Sequence, residues 1–156
     1  MVAGDGGAAA RGGGSLRAVS TSSGYSGTPL PAKLGIRPGH AVAVVGAPPG
    51  FGRLLGDLPG TDMSDGLPRA GLLDVIVYFT TSRAEFEAEL GNLRAHLAPA
   101  GGLWIAWPKR AAKVPTDMSD HAVREIALPA GLVDNKVCAI DQVWTGLRLV
   151  IRRELR

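Results

Sequence analysis

Large apolar side chains fall into short, dense runs separated by Gly, Pro and small polar residues. Ala41 to Gly46, AVAVVG, is apolar throughout with no alternation, as a parallel strand buried on both faces requires. Leu73 to Thr80 and Leu103 to Trp107 read the same way. Val137 to Ile140 and Leu147 to Ile151 predict two closing strands, and the intervening DQVWTG is short enough for an antiparallel hairpin.

Between these runs the period changes to that of a helix. Ser82 and Glu85 form a capping box, after which Phe86, Leu90, Leu93 and Leu97 make one apolar stripe ending at Pro99 and Gly101. A helix over Ser119 to Leu128 would turn Val123 and Ile126 inward and stop at Pro129 and Gly131. A weaker helix over residues 49–58 would bury Phe51, Leu54, Leu55 and Leu58 against the cost of Gly50, Gly52 and Gly56. LPAKLGI, Leu30 to Ile36, reads as a short helical turn, and the stretch from Leu58 to Gly71 has no period and reads as loop. Strands alternating with helices predict an α/β, three-layer Rossmann-like domain, its sheet mostly parallel with an antiparallel C-terminal strand.

Composition sets the limits. Of 156 residues, 46% are apolar, enough for one ordinary core. Residues 1–27 are Gly-, Ala- and Ser-rich and predict a disordered tail, which leaves a single domain over 28–156. The net charge of +3 is too small to argue for nucleic acid. A lone cysteine, Cys138, forbids an internal disulfide and reads as a buried small hydrophobe. No targeting segment or membrane-length run is visible, so a cytoplasmic location is expected. The pentapeptide TDMSD occurs at 61–65 and at 116–120, as a chance match or as two helix starts.

Candidate chemistry is sparse. His40, His96 and His121 are scattered, and no metal site is expected. No catalytic residue stands out, since nucleophile-elbow and Walker patterns are absent. The basic segment after the third strand, WPKRAAKVPTD, could hold a small anionic ligand through Lys109, Arg110 and Lys113, with Trp107 as a stacking face. The alternative is that Trp104 and Trp107 pack on opposite faces of their strand and the cations are solvated. Asp117 and Asp120 read as helix-start residues. Arg148 and Arg152 could extend a basic patch, or could be charges that protect an edge strand.

LGIRPGHAVAVVGAPPG resembles the first strand and glycine loop of class I S-adenosylmethionine-dependent methyltransferases. LDVIVYFTTSRAEFEAELGNLRAHLAPAGGLWIAW resembles their fourth strand, following helix and fifth strand, and AGLVDNKVCAIDQVWTGLRLVIRR their closing hairpin. At finer grain residues 25–154 resemble an actinobacterial family, domain of unknown function 3052, through LGIRPG, VAVVGAP, SRAE, WIAWPK and GLVDNKVCA. That family brings no established activity.

The resemblance implies a cofactor loop at Gly46, Pro48 and Gly50, where the superfamily typically has three glycines. Pro48 and Pro49 remove two N–H donors from it. It also implies an acid near Asp65 to accept from the ribose hydroxyls, but GTDMS does not read as a buried strand that could present one. Asp74 matches the aspartate that opens the superfamily's fourth strand, and reads as a solvated strand-end residue. The expectation is therefore a degenerate, non-catalytic binding or interaction domain without cofactor, its partner a protein or a small anion, with homodimerisation possible. The alternative is a compact S-adenosylmethionine-dependent methyltransferase with an atypical loop.

Overall fold

The computed structural model describes residues 27–156. The proposed tail lies outside them, apart from Gly27. After helix α1 (Leu30–Leu34) come strand β1 (Ala41–Val45), helix α2 (Phe51–Leu55) and strands β2 (Asp62–Asp65) and β3 (Leu73–Phe79). Helix α3 (Arg83–Ala95), strand β4 (Leu97–Pro108), helix α4 (Asp120–Ala127), strand β5 (Leu132–Ala139) and strand β6 (Trp144–Ile151) complete the domain.

The strands form one six-stranded sheet in the order β2-β1-β3-β4-β6-β5. The first four pair in parallel; β6 runs antiparallel to β4, and β5 antiparallel to β6. Both faces are covered. Phe86, Leu90 and Leu93 of α3, with Val123 and Ala127 of α4, pack on Ile76, Ile105, Leu147 and Leu149. On the opposite face Leu30 and Leu34 of α1 and Phe51 and Leu55 of α2 pack on Val42, Val77, Trp104 and Ala106. Burial on both sides is why the inner strands are apolar without alternation. The expected three-layer architecture is the one observed.

Several local readings need correction. Asp62–Asp65 is a strand, not loop: it pairs with β1 in register Ala41↔Asp62 to Val44↔Asp65. It carries no hydrophobic signature because it is a sheet edge of four residues and is largely exposed, with charge at both ends. Helix α3 stops at Ala95, before Pro99, because Leu97 already pairs with Leu73 as the first residue of β4. Strands β5 and β6 begin earlier than expected, since their ladder extends from Leu132↔Ile151 to Ala139↔Thr145. In α2 only Phe51 and Leu55 are buried, and Leu54 faces solvent, as five residues between Gly50 and Gly56 present one narrow face. Asp74 is more than solvated: its carboxylate accepts from the Ala41 N–H at 2.8 Å and ties β1 to β3.

The two TDMSD copies adopt different structures. The first is β2, with Met63 41% exposed. The second leads into α4, where Met118 is 6% exposed and the Ser119 hydroxyl caps the Ala122 N–H at 3.0 Å. Only the second is a helix start. Asp117 serves a different helix, accepting from the Arg83 N–H at the start of α3 at 2.7 Å.

Candidate ligand site at the carboxyl edge

From β1 the chain moves out to β2 and then returns to the other side of β1 as β3. Such a reversal opens a crevice at the carboxyl ends of the strands. Gly46 makes the turn out of β1 with φ 70°, and a Cβ there would stand 3.0 Å from the Phe79 carbonyl oxygen. A side chain is thus disfavoured twice, by conformation and by the end of β3. Gly50, at φ 90°, caps α2, and the Pro48 carbonyl accepts from the Phe51 N–H at 3.3 Å. Pro48 and Pro49 supply no donor, but the amides of Ala47 and Gly50 have no acceptor among the described residues.

Asp65 lies at the carboxyl end of β2, beside this turn. The Gly66 N–H donates to the Val44 carbonyl at 2.8 Å, and the Ser64 hydroxyl donates to the Gly66 carbonyl at 2.7 Å, so the strand end is held. Asp65 and Ala47 line one cavity of about 480 Å³, with Phe51, Leu55, Met63 and Ser64. Asp65 thus shares a cavity with Ala47, the residue after Gly46, while Gly46, Pro48 and Gly50 do not line it. The strand that carries Asp65 is an exposed edge and not a buried one, in keeping with the reading of GTDMS. The usable signal was the spacing from Gly46, not hydrophobicity. Ala47 and Met63 were not singled out in the sequence at all.

The second sequence-predicted cluster lies elsewhere. Trp107 and Arg110 line a separate cavity of about 360 Å³ with Val114, Thr116, Met118 and Asp120. Lys109 and Lys113 do not line it. Trp107 is 8% exposed and packs with the α3 and α4 face, too covered to offer an open stacking face. Trp104 packs on the opposite face, its indole N–H donating to the Leu34 carbonyl at 3.0 Å. That opposition is the alternative weighed in the sequence. This segment and the turn after Gly46 line different cavities, the one through Trp107 and Arg110 and the other through Ala47.

Tyr78, on β3 at 3% exposed, packs in the core beside Phe86, and among the described residues its hydroxyl has no hydrogen-bond partner. Burial, reinforced by the Glu85 and Glu89 carboxylates, pushes its pKa up to about 12. Cys138 is buried and burial raises its thiol pKa, as expected of an inert cysteine. Among the described residues no cluster of His, Cys, Asp and Glu could hold a metal ion, and no helix is long and apolar enough to cross a membrane.

No family model and no curated protein matches the chain. Solved structures do. An S-adenosylmethionine-dependent methyltransferase from Aquifex aeolicus superposes with TM-score 0.53 at 16% identity, over 77% of this chain and 87% of its own. Aeropyrum pernix fibrillarin, with natively bound S-adenosylmethionine, gives 0.55 at 14% identity over 81% and 70%. The ribosomal protein L11 methylase of Lactobacillus delbrueckii subsp. bulgaricus gives 0.53 at 14% identity over 80% and 76%. At these identities the likeness is one of fold: a Rossmann-like, methyltransferase-like sheet.

Proposed function

We propose that this domain binds an adenosyl ligand of the S-adenosylmethionine type in the carboxyl-edge crevice. The observation that carries the reading is the cavity that Asp65 shares with Ala47, the residue that follows Gly46. A ribose presents vicinal hydroxyl donors, which a carboxylate at a strand end accepts. The ligand's own carboxylate needs N–H donors, which the amides of Ala47 and Gly50 supply. Phe51, Leu55 and Met63 add apolar surface for a base. The donor set fits, with Pro48 and Pro49 as its weakness. Support also comes from the fibrillarin relative, whose structure holds this cofactor.

When bound, S-adenosylmethionine supplies an activated methyl group. What this chain's residues contribute is binding: Asp65 orients the ribose and the Gly46 turn allows close backbone approach. Among the residues lining the cavity Asp65 is the one titratable side chain. The second reading is a non-catalytic binding or interaction domain, with Arg110 and the adjacent Lys109 and Lys113 as a further anion-binding surface. Membership in the actinobacterial family of unknown function, a cytoplasmic setting and homodimerisation belong to the same proposal. The first two rest on the sequence.

Calorimetric titration with S-adenosylmethionine and S-adenosylhomocysteine tests it. Micromolar binding that weakens in Asp65→Asn supports the adenosyl site. No heat at millimolar ligand overturns it and leaves the interaction domain.

A further inference from the structure

At the opposite edge of the sheet, where β1 and β3 begin, lies a cavity of about 430 Å³ under α1. Lys33, Arg37, His40, Lys136 and Arg148 line it, with Asp74 as the one acidic side chain. Asp74 is already committed to the Ala41 N–H. The His40 ring accepts from the Arg37 N–H through Nδ1 at 3.2 Å, so in the neutral ring Nε2 is left as a donor.

Arg148 is the informative residue. It sits on β6, which is paired on both sides, so protection of an exposed sheet edge does not account for it. In the ladder it stands directly opposite Lys136, an arrangement of like charges that costs stability. Its guanidinium is half-buried over Gly102, where a Cβ would collide with Nε. Its hydrogen-bond partner is the Asn135 side chain at a long 3.4 Å, and no carboxylate among the described residues lies within ion-pair distance. Burial and the charge of Arg156 both push its pKa down, as for a cation lacking a counter-charge. A half-buried guanidinium facing a second cation is unfavourable unless an anion joins them.

We propose that this amino-edge cavity is a binding site for a phosphorylated small molecule bearing at least two negative charges. Planar, forked donors such as Arg148 and Arg37 match phosphate oxygens bidentately. The volume exceeds what a bare phosphate fills and suits a nucleotide-sized ligand. The cations converge on a cavity instead of forming the extended stripe that tracks a nucleic-acid backbone. The site is independent of the adenosyl crevice, which lies at the other end of the strands.

The test is thermal melting and calorimetry of the full chain at low salt, with pyrophosphate and ADP as probes. The expected result is a melting-temperature rise of several degrees with one or both. It should be lost, with affinity down at least tenfold, in Arg148→Gln and in Lys136→Gln. Lys136→Gln is exposed and relieves a like-charge pair, so without ligand it should melt no lower than the parent; a purely structural role predicts the reverse. Binding of ADP alone marks an organic phosphate; equal binding of both marks recognition of the phosphates themselves. Asp65→Asn should leave either signal intact, which separates this site from the adenosyl one. No response at millimolar probe, or a response unchanged in both variants, overturns the proposal. So does preference for a single-stranded oligonucleotide whose affinity grows with its length.

Discussion

Asp65 stands directly opposite Val44 in the parallel ladder, one step before the amide of Gly66 closes the strand end on the Val44 carbonyl. That register puts a carboxylate beside the glycine turn leaving β1. Asp65→Asn keeps the shape and removes the charge. Hydrogen bonds to a charged group are worth about 1.5–3 kcal/mol, so adenosyl-ligand affinity should fall about tenfold to a hundredfold. Stability should stay within about 0.5 kcal/mol, as at other exposed positions. Calorimetry and a melting scan on one sample check both.

Gly46 is constrained by its left-handed φ and by the Phe79 carbonyl. Gly46→Val should cost about 1–2 kcal/mol from backbone conformation alone, more once the contact with Phe79 is counted. Denaturant unfolding would show it as a lowered midpoint. Gly50→Ala also has positive φ but open space around it, and should cost less.

Tyr78 supplies a pH prediction. Its pKa is raised in the fold to about 12, against 10.0 when free, so the folded state holds its proton more tightly. Its contribution is fully present below pH 10 and is lost as pH rises from 10 through 12. Tyr78→Phe removes this titration and also an unpartnered buried hydroxyl. At neutral pH the variant should be as stable or more so, and its alkaline loss of stability should be shallower. Melting temperatures from pH 8 to 12 decide the matter.

Trp104 is fully buried and joins the sheet to α1 through the Leu34 carbonyl. Trp104→Phe leaves that carbonyl unpaired and a void beside it, and should cost about 2–4 kcal/mol. Because α1 roofs the amino-edge cavity, phosphate-probe binding should weaken in parallel. Unchanged stability would show that α1 is not anchored there.

The inner strands were legible because each is buried on both faces and so must be a continuous apolar run. Helix α3 was legible because Ser82 caps the Glu85 N–H, as the S-x-x-E spacing implies, and one stripe meets the sheet. Strand β2 was not legible: an exposed edge needs no apolar pattern, and its pairing with β1 is made by backbone groups that every residue carries. The same TDMSD makes a strand at one place and a helix start at another, so local sequence did not decide its conformation.

The candidate sites divide along the same line. Gly46 and the prolines after it were readable as a turn, since φ restrictions belong to single residues. That Asp65 joins the turn while Trp107 opens into another cavity depends on strand order and register, which are long-range pairings. The amino-edge cluster draws on α1, the approach to β1, and strands β3, β5 and β6, so no window of sequence contains it. What the chain determined by itself was the burial pattern, and with it the α/β class. Which charged side chains share a cavity was decided only when the sheet brought distant segments together.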